Sequence, residues 1–87
     1  MYVIAVYDVQ EKRVAKMLKL CRRYLNWIQN SVFEGELTEL GLKELIHEAK
    51  QVMDEREDSF ILFAGRDARW LSKTIVGKER AGTDNFL

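Results

Sequence analysis

The apolar run Tyr2-Val3-Ile4-Ala5-Val6-Tyr7 breaks off at Asp8, which puts a lone carboxylate at the carboxyl end of a strand. Carboxylate oxygens suit Mg²⁺, but that ion wants octahedral oxygen ligation and usually takes one or two carboxylates, with waters and substrate phosphates in the other positions. A single Asp8 is therefore half a site, and a second copy of the chain supplies what is missing. The expectation is a two-fold homodimer whose two Asp8 side chains face each other across a groove that takes a phosphodiester backbone. The alternative is that Asp8 caps the loop leading into the next helix. Cys21 and His47 stand alone, with no partner at catalytic or metal-ligand spacing. Cys21 reads as a small buried apolar residue and His47 as part of a polar helix face.

The elements that must position Asp8 follow from periodicity. Residues 2–7 are apolar on both faces, as in a strand with neighbours on each side and cover above and below. From Glu11 to about Leu25, Val14, Met17, Leu18, Cys21 and Leu25 recur at helical spacing, which leaves Lys12, Lys16, Lys19 and Arg23 on another face. Trp27 to Glu34 is rich in β-branched and aromatic residues and reads as a second strand that turns at Gly35, with Glu36 and Leu37 opening a short third one. Thr38 is a helix N-cap ahead of the stripe Leu42, Leu45, Ile46, Ala49, Val52, Met53. Phe60 to Phe63 form another buried strand closed by Gly65, and Lys73 to Val76 add one more. The order strand, helix, strand, strand, helix, strand predicts an α+β, ferredoxin-like βαββαβ sandwich with an additional C-terminal strand. Residues 1–87 are expected to form one domain.

At 87 residues the chain can bury one small core, so a partner subunit would add useful apolar burial. No run is long enough to span a bilayer and Met1 leads directly into a strand without a secretory leader, so the expectation is a cytoplasmic protein with no membrane association. The formal net charge is zero but the charges are segregated. Up to Phe33, Lys12, Arg13, Lys16, Lys19, Arg22 and Arg23 face only Asp8 and Glu11; from Glu34 to Asp58 acids dominate; beyond, the balance turns basic again. A basic band of this kind is either a solvated helix face or a phosphate-backbone contact through Lys16, Lys19 and Arg23.

Three segments carry a family resemblance: the opening Met-Tyr-Val-Ile-Ala-Val-Tyr-Asp-Val, then Trp27-Ile28-Gln29-Asn30-Ser31-Val32-Phe33-Glu34-Gly35, and the late Ile75-Val76-Gly77-Lys78-Glu79. Together they resemble the small CRISPR-associated protein of the spacer-acquisition machinery, over essentially the whole chain. The resemblance implies a ferredoxin-like homodimer with Asp8 and its symmetry mate near the interface, able to hold Mg²⁺. It also implies a last strand that crosses to the partner's sheet, which makes 72–87 an interface strand and tail. The implied activity is metal-dependent endonucleolytic cleavage of single-stranded RNA and possibly DNA, and the implied role is that of a central dimer held by the CRISPR integrase subunit on double-stranded DNA. The runner-up is a non-catalytic DNA-binding scaffold. Asp8 and Arg13 are then the catalytic residues, Arg13 matching a basic position tied to activity in relatives, and Arg13, Lys16, Lys19, Arg23 and Ser31 contact nucleic acid. Phe33 is core or interface in preference to a base-stacking platform. The acidic second helix and the tail from Lys78 to Leu87 are the surfaces offered to the integrase. The loop after Asp8 is shorter than in many members, with Gln10 and Glu11 in place of a longer acidic and polar stretch, and Trp27 stands where some carry a basic residue.

Overall fold

Side-chain alternation decides which way the first strand faces. In β1, Tyr2–Asp8, the side chains of Val3, Ala5 and Tyr7 are buried, while Tyr2, Ile4 and Val6 are half-buried and Asp8 is exposed. A period of two thus sends the odd row into a core and leaves the even row, Asp8 included, on the opposite face. The structure is a computed structural model that describes residues 1–81, with Trp70 described by its backbone alone. Its elements run β1, α1 (Glu11–Tyr24), β2 (Asn26–Gln29), β3 (Val32–Glu36), α2 (Glu39–Val52) and β4 (Ser59–Gly65), followed by a single 3₁₀ turn at Ala68–Trp70.

The four strands form one antiparallel sheet in the order β2-β3-β1-β4, with β1 central as its two-sided apolar character requires. Both helices cover one face. Val3, Ala5 and Tyr7 meet Met17, Leu20 and Cys21 of α1, Leu45 and Ala49 of α2, and Phe33 of β3 in a single core. This is the ferredoxin-like sandwich that the element order predicts. The Thr38 cap forms as expected, its hydroxyl oxygen accepting the Gly41 N–H at 2.9 Å. Among the described residues no helix is long and apolar enough to cross a membrane.

The structure corrects several local expectations. The chain reverses at Asn30-Ser31 and not at Gly35, so Trp27 to Glu34 is a hairpin instead of one strand. Asn30 takes a φ of 45°, the left-handed conformation that asparagine tolerates better than most residues. Gly35 lies inside β3, where a Cβ would meet the Leu25 side chain at 3.2 Å, so the glycine lets the end of α1 close onto the sheet. Val14, expected on the core face of α1, is exposed, and Leu20 takes a core place instead.

Lys73 to Val76 pair with no strand among the described residues. They run across the even-row face instead, where Tyr2, Ile4, Ile28, Val32 and Glu34 line a groove of about 660 Å³ beneath them. Glu34 holds this arrangement by accepting from the Tyr2 hydroxyl and pairing with Lys73. Of the segment expected to be interface strand and tail, residues 82–87 lie outside the described residues. The β4 half of the face stays bare. Ile61 and Phe63 are 50% and 58% exposed there, opposite Val6 and Ile4 in the β1–β4 register.

Candidate functional site

Asp8 ends β1 opposite Ser59 of β4, and on its other side the Tyr7 N–H reaches the Ser31 carbonyl at 3.2 Å. The structure therefore brings together Asp8, the Asn30-Ser31 turn and the start of β4 at one end of the sheet. The Asp8 carboxylate is exposed and makes no hydrogen bond or ion pair with any described residue, so it does not cap the loop after it. Among the described residues no three His, Cys, Asp or Glu side chains cluster at metal-binding range. At this end of the sheet the described residues thus offer one exposed carboxylate, a hard oxygen donor that fits Mg²⁺ as one of the one or two carboxylates the ion usually takes.

Arg13 is committed elsewhere. Its Nε donates to Asp58 Oδ2 at 2.5 Å, and Nη2 donates to Asp58 Oδ1 at 3.1 Å and to Glu57 Oε2 at 2.9 Å. Only Nη1 has no partner among the described residues. The expectation of a guanidinium presented to a phosphate therefore becomes, in this chain, a fork closed on a carboxylate. Asp58 has a fully enclosed side chain and also accepts the backbone N–H groups of Gln10 and Asp54, each at 2.9 Å. The Arg13 hydrogen bonds and these N–H groups hold its carboxyl well below the usual carboxylate range, against the opposing effect of burial, and raise the Arg13 pKa in turn.

A depressed carboxyl pKa stabilises the fold above the unfolded value, near pH 4, and that contribution disappears as pH falls through the folded value. The urea midpoint should stay level from neutrality to about pH 5 and drop below about pH 4. Asp58→Asn should start lower and slope less across the acid range. An equal acid slope in the variant would assign the effect to Glu48, Asp54 and Asp67, whose carboxyls are also lowered but lie in more open pairs of small expected worth.

Lys12, Lys16, Lys19 and Arg23 form one stripe along α1, at helical spacings of four, three and four residues, about 16 Å long. Arg23 is bridged to Glu48 at 2.8 Å, whereas Lys16 and Lys19 have no partner among the described residues. The stripe lies on the helix layer, on the far side of the sheet from the row that carries Asp8. Acid and basic band are therefore not neighbours across one groove of the protomer; they approach each other only where α1 begins.

Phe33 is 0% exposed and stacks on Tyr7 with ring centroids 6.1 Å apart. It is core, one of the two places expected for it, and within the protomer it is offered neither to an interface nor to a stacking base. Burial pushes the Cys21 thiol up to about 12, so it stays a neutral packing group. Sequence reading missed Asp58 and Glu57 as partners of Arg13, because a pair 45 residues apart leaves no periodic signal.

A family described as CRISPR associated protein Cas2 matches residues 1–73. The chain belongs to the Cas2 family. Its relatives include proteins named CRISPR-associated endoribonuclease Cas2 from Thermotoga maritima, 46% identical over all of this chain and 99% of the relative, and from Fusobacterium nucleatum, 42% identical over all of this chain and 87% of the relative. A solved Cas2 crystal structure superposes with a TM-score of 0.80 at 41% identity, covering 93% of this chain and 91% of the other. Streptococcus pyogenes Cas2 at pH 6.5 gives a TM-score of 0.74 at 31% identity, covering 87% of this chain and all of that one. The Cas2 match runs through Asp8, the Asn30-Ser31 hairpin and β4, so every element at the acidic end of the sheet lies within it.

Proposed function

We propose that the chain is a Mg²⁺-dependent endoribonuclease that works as a homodimer and acts with the CRISPR integrase subunit when new spacer DNA enters the array. The observation that carries this reading is the Asp8 carboxylate, without a partner among the described residues, at the end of a sheet face that also exposes Ile61 and Phe63. Pairing two such faces buries apolar surface that a small domain otherwise leaves in water, and it supplies the second carboxylate. Bound Mg²⁺ would bring Lewis-acid polarisation of the scissile phosphate. Asp8 would orient that ion, and the Ser31 turn beside it would offer hydrogen bonds to the RNA backbone. The names of the relatives support the substrate class.

Asp8→Asn removes the charge with little change in volume. Cleavage of single-stranded RNA should fall on the order of a hundredfold or more, since even an outer-shell partner of a metal is worth about 10–100-fold. The circular dichroism spectrum and sedimentation should match wild type. Equal cleavage by both proteins would assign the activity to a contaminant.

The ammonium groups of Lys16 and Lys19, without a partner among the described residues, favour a second reading, a scaffold that holds duplex DNA by its phosphates. Replacing Lys16, Lys19 and Arg23 with alanine should weaken duplex binding and flatten its salt dependence by about 0.9 in log–log slope for each phosphate no longer neutralised. Unchanged affinity at low salt would remove this face from DNA binding.

A further inference from the structure

We infer that Asp58 and Arg13 form a clamp that positions Asp8, with Asp58 as a positioning residue for the metal site; this rests on the reading of Asp8 as the ligand. Only Val9 and Gln10 separate Asp8 from the first residue of α1. Gln10, the helix N-cap, makes no side-chain capping bond, so its side chain does not fix the link. The lock comes from a residue 48 positions further along the chain. Asp58 Oδ1 accepts the Gln10 N–H at 2.9 Å, and Arg13, one turn into α1, closes its fork on the same carboxylate. Arg13 N–H also returns to the Gln10 carbonyl at 2.8 Å.

Asp58 is in turn held by the Asp54 N–H and precedes Ser59, the β4 residue opposite Asp8. One enclosed carboxylate thus fastens the link after Asp8, the start of α1 and the strand beside Asp8. The Asp8 backbone is bounded on each side, which leaves its side-chain torsions as the main freedom to be lost on binding an ion. Supporting hydrogen bonds of this kind are what hold a ligand within the narrow geometry a metal site needs. Because Nε and Nη2 of Arg13 are spent on this task, its charge acts through Asp58 on the loop and not on the phosphate.

The test uses the full chain as wild type, Asp58→Asn, Arg13→Gln, their double variant, Arg13→Lys and Asp8→Asn. Each is assayed at a temperature where its melting curve shows a folded baseline. Mn²⁺ affinity is read by electron paramagnetic resonance without RNA, and kcat and KM are measured on single-stranded RNA with Mg²⁺. Asp58→Asn and Arg13→Gln should each weaken Mn²⁺ binding and lower kcat by about 10–100-fold with little change in KM, and the double variant should be no worse than the poorer single one.

A folded Asp58→Asn with wild-type Mn²⁺ affinity and kcat overturns the inference. So does Arg13→Lys with full activity, because a point charge acting on phosphate survives that change and a fork does not. If Asp58→Asn does not fold, the Arg13 variants decide between these outcomes. Unaltered Mn²⁺ binding and cleavage in Asp8→Asn instead removes the ligand reading, a result separable from failure of the clamp.

Discussion

Phe63→Glu should dissociate the dimer and silence cleavage while leaving each protomer folded. Phe63 is 58% exposed in the single chain and lies opposite Ile4, outside the core under the helices, so a carboxylate there leaves the core packing of the protomer in place. In a dimer built on this face the new charge would be buried without a partner, which costs several kcal/mol. Since every 1.4 kcal/mol is tenfold, dimerisation should weaken on the order of a hundredfold or more. With the proposed site shared by two chains, activity per chain should fall with the dimer fraction and return as protein concentration rises. Leu40→Glu, at a position 65% exposed on α2, is the control and should change neither quantity. Sedimentation equilibrium across a concentration series, with cleavage assayed at each point, reads both. A monomeric Phe63→Glu with full activity per chain would show that one Asp8 suffices. A variant that still dimerises normally would move the interface to another surface.

The bare β4 half of the even-row face and the lone carboxylate at its end point the same way. A sheet with helices on one side only leaves its second face to be covered. The chain's own segment from Leu71 to Val76 covers the β2–β3 half and stops short of Ile61 and Phe63. Val76 is 95% exposed and Ile75 41%, so this segment carries apolar side chains that the single protomer does not use. Lys73 to Val76 form no ladder with any strand among the described residues, and a ladder needs a sheet edge to pair with. The proposed dimer offers such an edge.

Much of this architecture is legible in the sequence because two periods are hard to confuse. The two-sided apolar run before Asp8 fits only a central strand, and the Thr38 cap followed by helical spacing locates the start of α2 to the residue. The hairpin is misplaced by sequence reading because Gly35 is the stronger local turn signal, whereas its actual task is to admit Leu25 across the sheet. That approach joins residues ten apart through the core and has no local signature. The Arg13–Asp58 fork escapes for a like reason. Periodicity places Arg13 beside lysines on a helix face, yet its side chain is only 14% exposed, and nothing short of the folded register brings Asp58 against it. Asp8 is readable because it is an interruption; Asp58 is not, because it sits among other acids.

Phe33→Ala should cost about 3–5 kcal/mol, the usual range for truncating a buried aromatic. Phe33 is 0% exposed, stacks on Tyr7 at 6.1 Å and lies against Trp27 in the β2–β3 register, so the cavity would open between sheet and helices where relaxation is most constrained. For a domain of this size each kcal/mol shifts Tm by about 4–8 °C, so the loss should be on the order of 15–30 °C. Native proteins hold only about 5–15 kcal/mol, and a small core sits toward the low end, so the variant should be partly unfolded near physiological temperature. Phe33→Leu should recover most of the Tm by refilling the space. These two variants also decide what this aromatic is for. A base-stacking residue would keep its Tm as alanine and lose RNA affinity; a packing residue loses Tm, and RNA cleavage by the fraction still folded stays at the wild-type rate. The Tyr7 ring is the reason to expect the second outcome, because it covers the Phe33 face that a base would need.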